Sequence, residues 1–168
     1  MSTIKTDAPT IHTRTYTWSS PQPTGPATAG LTGLQTLHAI GAGTIAQPPA
    51  LRTLGIEPVD AEYGRVVFQL VPEEFHYNPM GIVHGGVLMA LLDTAMGCAV
   101  LSELPPLTGY TTIEAGTRFL RPVTVASGTI TCTGTTISVR SRVAVAEARI
   151  EDDRGRLVAT ATSSCLLI

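Results

Sequence analysis

Hydrophobic and polar positions follow two rhythms along the chain. In the middle, Gly85 to Leu101 (GGVLMALLDTAMGCAVL) is apolar on every side, the pattern of a buried helix. The run is short for a membrane span and carries Asp93 near its centre, so a helix inside a protein core is expected and no membrane partner. Ahead of it, Arg65 to Val71 puts Val66, Phe68 and Leu70 on one face and stops at Pro72, which predicts a strand. Behind it, Tyr110–Leu120, Val123–Thr136, Ile137–Ile150 and Leu157–Leu167 alternate or carry β-branched runs. Short turn signals such as Asp152-Asp153-Arg154-Gly155 join them, so these strands should pair antiparallel. The expected class is α+β: a curved antiparallel sheet wrapped around one long central helix. Nearer the N-terminus, Leu31, Leu34, Leu37, His38 and Ile45 predict a short helix, weakened by three glycines and ended by Pro48 and Pro49. Residues 1–30 are rich in Thr, Pro and Ser and read as a mobile extension ahead of a domain at 31–168. Within them, Ile11 to Trp18 alternates and is β-prone, fit to pack on a neighbour.

Composition changes this picture in two places. Charged residues are 14% of the 168, against roughly 25% in an average soluble domain. One helix covers one face of a sheet and leaves its edges open, so a homodimer that pairs edges, and a dimer of dimers, would explain the low charge. The net charge of -2 leaves no basic footprint for nucleic acid. Ten of the eleven basic residues are arginines, and seven of them lie in the C-terminal third. Cys98, Cys132 and Cys165 are widely spaced and read as reduced core residues, and no leader pattern precedes the domain, so a cytoplasmic location is expected.

The candidate chemistry sits in His76 to Leu101. Asp93 is the one formally charged residue between Phe75 and Ser102, and a carboxylate in an apolar helix is costly unless its desolvation is offset. Its helical face carries Gly86, Met89, Ala90, Met96, Gly97 and Val100, while Leu88, Leu91, Leu92, Ala95 and Cys98 form the face expected to pack on the sheet. Gly85 and Gly86 start the helix, where free amides and the helix dipole suit a developing oxyanion. Read singly, Asn78 before Pro79 is a turn former, His84 a capping residue, and His76 structural. No G-x-S-x-G, no phosphate-cradling G-x-x-x-x-G-K and no metal-ligand spacing occurs, so neither a metal nor a cofactor is expected.

The run His76-Tyr77-Asn78-Pro79-Met80-Gly81, followed by His84-Gly85-Gly86 and Asp93, resembles the hotdog-fold acyl-CoA thioesterases of the phenylacetic-acid-degradation type. Thr112 to Pro122 (TTIEAGTRFLRP from Thr111) resembles the strand after the helix in that family. The resemblance covers roughly Val59 to the C-terminus and implies hydrolysis of an aryl or medium-chain acyl-CoA, with coenzyme A part of the substrate. It implies Asp93 as general base or nucleophile and the Gly85 amide as oxyanion donor. Asn78 and His84 would orient the carbonyl, water or carboxylate. Thr112 would come from the partner subunit, placing two sites at a dimer interface. Gly86 and an adaptable Met89 are candidates for substrate contact, and Arg118, Arg121, Arg140 and Arg142 for the CoA phosphates by charge. A hotdog hydroxyacyl-thioester dehydratase or hydratase and a non-catalytic acyl-CoA sensor are the alternatives; the GIVHGG loop favours the thioesterase pattern, and Asp93, Gly85 and Thr112 together argue against the sensor.

Overall fold

The computed structural model describes residues 10–21, 28 and 30–168. Much of the expected extension, residues 1–9, 22–27 and 29, lies outside the described residues. Ile11 to Trp18 forms no strand and is exposed. It is held to its own chain by Arg14, whose guanidinium lies 3.9 Å above the Phe75 ring and donates to the Thr53 carbonyl at 2.5 Å.

The ordered elements begin with α1 (Gly33–Gly41), whose N-terminus is closed by a reciprocal capping box between Thr32 and Gln35. Helix α1 ends at Gly41, well ahead of the stop expected at Pro48 and Pro49. Pro49 occupies the first turn of a second one, α2 (Pro49–Leu54), where its missing N–H costs nothing. Gly55 then stops α2 with a left-handed φ of 71°. Strand β1 (Ile56–Glu62) was not legible in the sequence because Pro58 interrupts its pattern. It survives as an edge strand, with a bulge between Pro58 and Asp60. The chain continues through β2 (Arg65–Leu70), α3 (Gly85–Ser102), β3 (Tyr110–Phe119), β4 (Ile130–Val139), β5 (Val143–Glu151) and β6 (Leu157–Leu167).

The six strands form one antiparallel sheet in the order β1-β2-β4-β5-β6-β3. The expected strand over Val123–Thr136 starts only at Ile130, after a 3₁₀ turn at Val125–Ser127. The next turn falls at 140–142 instead of at 136, since the Thr-rich run carries no turn signal of its own.

Helix α3 lies in the concave face of the sheet. By length and composition it could cross a bilayer, but Leu88, Leu91, Leu92, Ala95 and Ala99 are buried against the sheet. Small side chains let it come close: β5 turns Ala144, Ala146 and Ala148 inward, and Gly134 of β4 faces the helix backbone. A β-carbon at 134 would stand 2.3 Å from the Ala95 carbonyl oxygen. Gly134→Ala should therefore destabilise the fold by about 1–3 kcal/mol through overpacking. The urea midpoint measures this, with an unchanged midpoint as the contrary result.

Candidate active site

The loop before α3 is folded by its own backbone. Asn78 N–H donates to the Ile82 carbonyl at 2.8 Å, Gly81 N–H to the Asn78 carbonyl at 3.0 Å, and His84 N–H to the His76 carbonyl at 2.8 Å. Gly81 takes a left-handed φ of 73°, which its lack of a side chain permits. Asn78 Oδ1 accepts from Met80 N–H at 2.9 Å, so its carbonyl closes an Asx turn while its amide NH₂ remains to donate. His76 is the anchor of this loop. Its Nδ1 accepts from Glu73 N–H at 3.0 Å, which leaves Nε2 to donate to the Leu54 carbonyl at 2.8 Å.

His84 caps α3. Its Nδ1 accepts from Gly86 N–H at 2.9 Å, a role usually taken by Ser, Thr, Asp or Asn. The Gly86 amide is therefore engaged, and the exposed Nε2 of His84 carries the proton outward. Gly85 N–H has no acceptor among the described residues and is the free donor at the positive end of the helix. A β-carbon there would sit 3.1 Å from the Phe119 ring, a tight contact that glycine avoids. Asn78, Gly85, Phe119 and Arg121 line one cleft of about 360 Å³.

Two turns on, Thr112 Oγ1 donates to Asp93 Oδ1 at 3.0 Å within the same chain. The resemblance implied that Thr112 would come from the partner subunit; within this chain it reaches the carboxylate of its own helix. A bulge in β3 between Thr112 and Glu114 is the cause. It pushes Ile113 outward, so that Thr112, Ala115 and Thr117 are partly covered while Ile113 and Glu114 are exposed. β3 then runs along α3, with Tyr110 over Gly97, Thr112 on Asp93, Thr117 donating to Met89 Sδ and Phe119 by Gly85. Asp93 is half-buried, and no donor to its second oxygen is found among the described residues.

Further side chains surround this pair that sequence reasoning did not single out. Thr112 Oγ1 lies 3.9 Å from Cys165 Sγ, and the buried Ser163 hydroxyl lies two residues along β6. Tyr110 is within hydrogen-bonding reach of Cys98. Strand alternation alone placed 163 and 165 on one face; nothing in the sequence tied that face to Asp93. Burial pushes the Cys98 thiol up to about 12, with the Asp93 charge adding to the rise and Tyr110 opposing it. Burial also raises Cys165. Neither thiol is a thiolate at neutral pH.

The other candidates are scattered. Met96 and Val100 are fully buried, so only Gly86, Met89, Ala90 and Asp93 remain accessible on the expected open face. Cys98, placed on the sheet-facing side by helical spacing, turns toward α1 and β1 instead. Arg118 lies on the outer face of the sheet with Arg65 and Arg149. Arg140 and Arg142 sit in the β4–β5 turn beside Leu167, at the far end of α3. Arg121 alone of the four adjoins the Gly85 cleft, and it also donates to the Leu157 carbonyl.

A long apolar helix held in a curved antiparallel sheet, with one carboxylate at mid-helix and a glycine amide at its start, defines the hotdog class. The family model described as the thioesterase superfamily matches residues 80–159. Over that stretch the chain is similar to the thioesterase superfamily. It is 29% identical over 106 residues to the 1,4-dihydroxy-2-naphthoyl-CoA hydrolase of Listeria monocytogenes, covering 63% of this chain and 85% of that one. In fold it is similar to the E. coli PaaI protein from the phenylacetic acid degradation operon, with a TM-score of 0.71, 23% identity, and 81% and 93% of the two chains covered. It is similar too to a Streptococcus mutans protein solved with acetyl-CoA bound, with a TM-score of 0.62, 20% identity, and 67% and 88% covered.

Burial holds the His76 imidazole below its ordinary 6.5, with the Leu54 carbonyl opposing the shift. A lowered folded value means that the unfolded chain binds the proton first. This contribution to stability is complete above pH 6.5 and is lost as pH falls below it, at no more than about 1.4 kcal/mol per pH unit. Urea midpoints from pH 7.5 to 5 should fall for the wild type and flatten in His76→Gln; equal slopes would contradict this.

Proposed function

We propose that the chain hydrolyses an aryl or medium-chain acyl-CoA, with Asp93 as general base and the Gly85 amide as oxyanion donor. The observation that carries this reading is the Asp93–Thr112 pair: one carboxylate oxygen accepts from Thr112, and the half-buried Asp93 has no further donor among the described residues. Asp93 takes a proton from water as the water oxygen bonds to the thioester carbon. The carbonyl oxygen gains charge against Gly85 N–H, with the Asn78 amide and His84 Nε2–H as further donors. The C–S bond then breaks, and the CoA thiolate recovers the proton from Asp93. A general base contributes about 10²–10⁴ in rate, and one oxyanion donor about 3–4 kcal/mol. No metal or cofactor enters this scheme, and coenzyme A is part of the substrate. The bound acetyl-CoA of the Streptococcus mutans protein and the CoA ester named for the Listeria relative support the acyl-CoA class.

Helix geometry decides how the site is assembled. Asp93 follows Gly85 by eight residues, about 12 Å along the axis, too far for both to serve one carbonyl. β3 is an edge strand and pairs with β6 on one side alone. In each chain Thr112 lies by Asp93 and Phe119 by Gly85. Antiparallel pairing of β3 with a second β3 would therefore bring Asp93 of one chain to the partner subunit's Gly85, giving two sites per dimer. We place this homo-oligomer in the cytoplasm, a reading supported by three free cysteines.

Asp93→Asn should lower thiol release from acyl-CoAs by about 10²–10⁴; activity equal to wild type would remove Asp93 from the mechanism. Subunit mixing tests the assembly. Asp93→Asn mixed with Asn78→Asp, which keeps the turn acceptor but loses the amide donor, should recover about a quarter of wild-type activity, from one intact site in each heterodimer. Asp93→Asn mixed with Thr112→Ala should recover none. The opposite pattern would return Thr112 to the partner subunit.

A further inference from the structure

On the flank of α3 next to Asp93 lies an apolar chamber of about 380 Å³, inside the range of about 300–1,000 Å³ typical of small-molecule sites. Thr94 and Cys98 form its α3 wall, Leu37 and Ile40 of α1 its roof, and Ala61 and Phe68 of β1 and β2 its floor. Its imidazole and its carboxylate are paired, His38 Nε2 with the Ala61 carbonyl at 2.8 Å and Asp60 with Arg65 at 3.2 Å. An apolar ligand therefore enters without stranding either of them.

Thr94 and Cys98 line the cavity from α3, the helix that carries Asp93. Thr94 is about 100° and Cys98 about 140° round the helix from Asp93. A group whose carbonyl stands at Asp93 must bend around the helix to fill the chamber, which a flexible chain does and a flat ring does not.

We infer that the chamber receives the acyl chain of a straight-chain, medium-length acyl thioester, and that Cys98 and Ala61 set how much of the chain fits. This rests on the thioesterase reading, and it narrows the substrate from aryl or medium-chain to the latter. Each methylene buried there should tighten binding roughly fourfold until the chamber is full.

The test uses the full chain and non-hydrolysable S-alkyl-CoA thioethers from ethyl to dodecyl, with dissociation constants from calorimetry. For the wild type, affinity should climb about fourfold per methylene and then level off. Cys98→Leu and Ala61→Leu should level off at shorter chains while binding of the ethyl compound stays within about twofold. No rise with length in the wild type, an unchanged plateau in both variants, or tighter binding of a benzyl than of a hexyl thioether overturns the chamber. Length-dependent binding without hydrolysis of any acyl-CoA would keep the chamber and reject the hydrolase. Hydrolysis without length dependence would do the reverse.

Discussion

The hydrogen bond from Thr112 to Asp93 is the contact on which the rest of the site depends. A lone carboxylate in an apolar helix needs a donor to offset its desolvation. In this chain the donor comes from β3, so that strand must lie along α3 over most of its length. The bulge before Glu114 turns Thr112 toward the helix, and Gly97 makes room for Tyr110. Loss of any of these would move the strand and the carboxylate together. The same placement leaves β3 at the edge of the sheet.

The start of α3 solves a different problem. A buried helix must satisfy its first amides, and an oxyanion donor must leave one of them free. His84 takes the Gly86 amide through Nδ1, and the Gly85 amide is left over. His76 holds the preceding loop from inside the core, and Asn78 folds it with its own side-chain carbonyl. Asn78 is the turn former and His84 the cap that the sequence suggests. Each uses one polar atom to build the loop and presents another outward.

Much of the fold was legible because its signals are periodic. The apolar run named α3, and alternation named the inner face of β2 and the existence of the later strands. β1 escaped because Pro58 breaks its pattern, and the α2 start escaped because Pro49 reads equally as a stop. Asp93, Gly85 and Asn78 stood out by chemistry within one stretch. The link from Asp93 to Thr112, Tyr110 and Cys165 did not, because it depends on a bulge and on strand order. Charge marked four arginines equally, and only topology separates Arg121 from the others.

The central claim is that one thioester is held by two chains, with the base from one and the oxyanion donor from the other. A crystal structure of Asp93→Asn with an intact acyl-CoA bound measures this directly. The account predicts the thioester carbonyl oxygen within hydrogen-bonding distance of Gly85 N–H of one subunit, and its carbon beside residue 93 of the other. A carbonyl bound with both groups from a single chain, or bound away from residue 93, would contradict it.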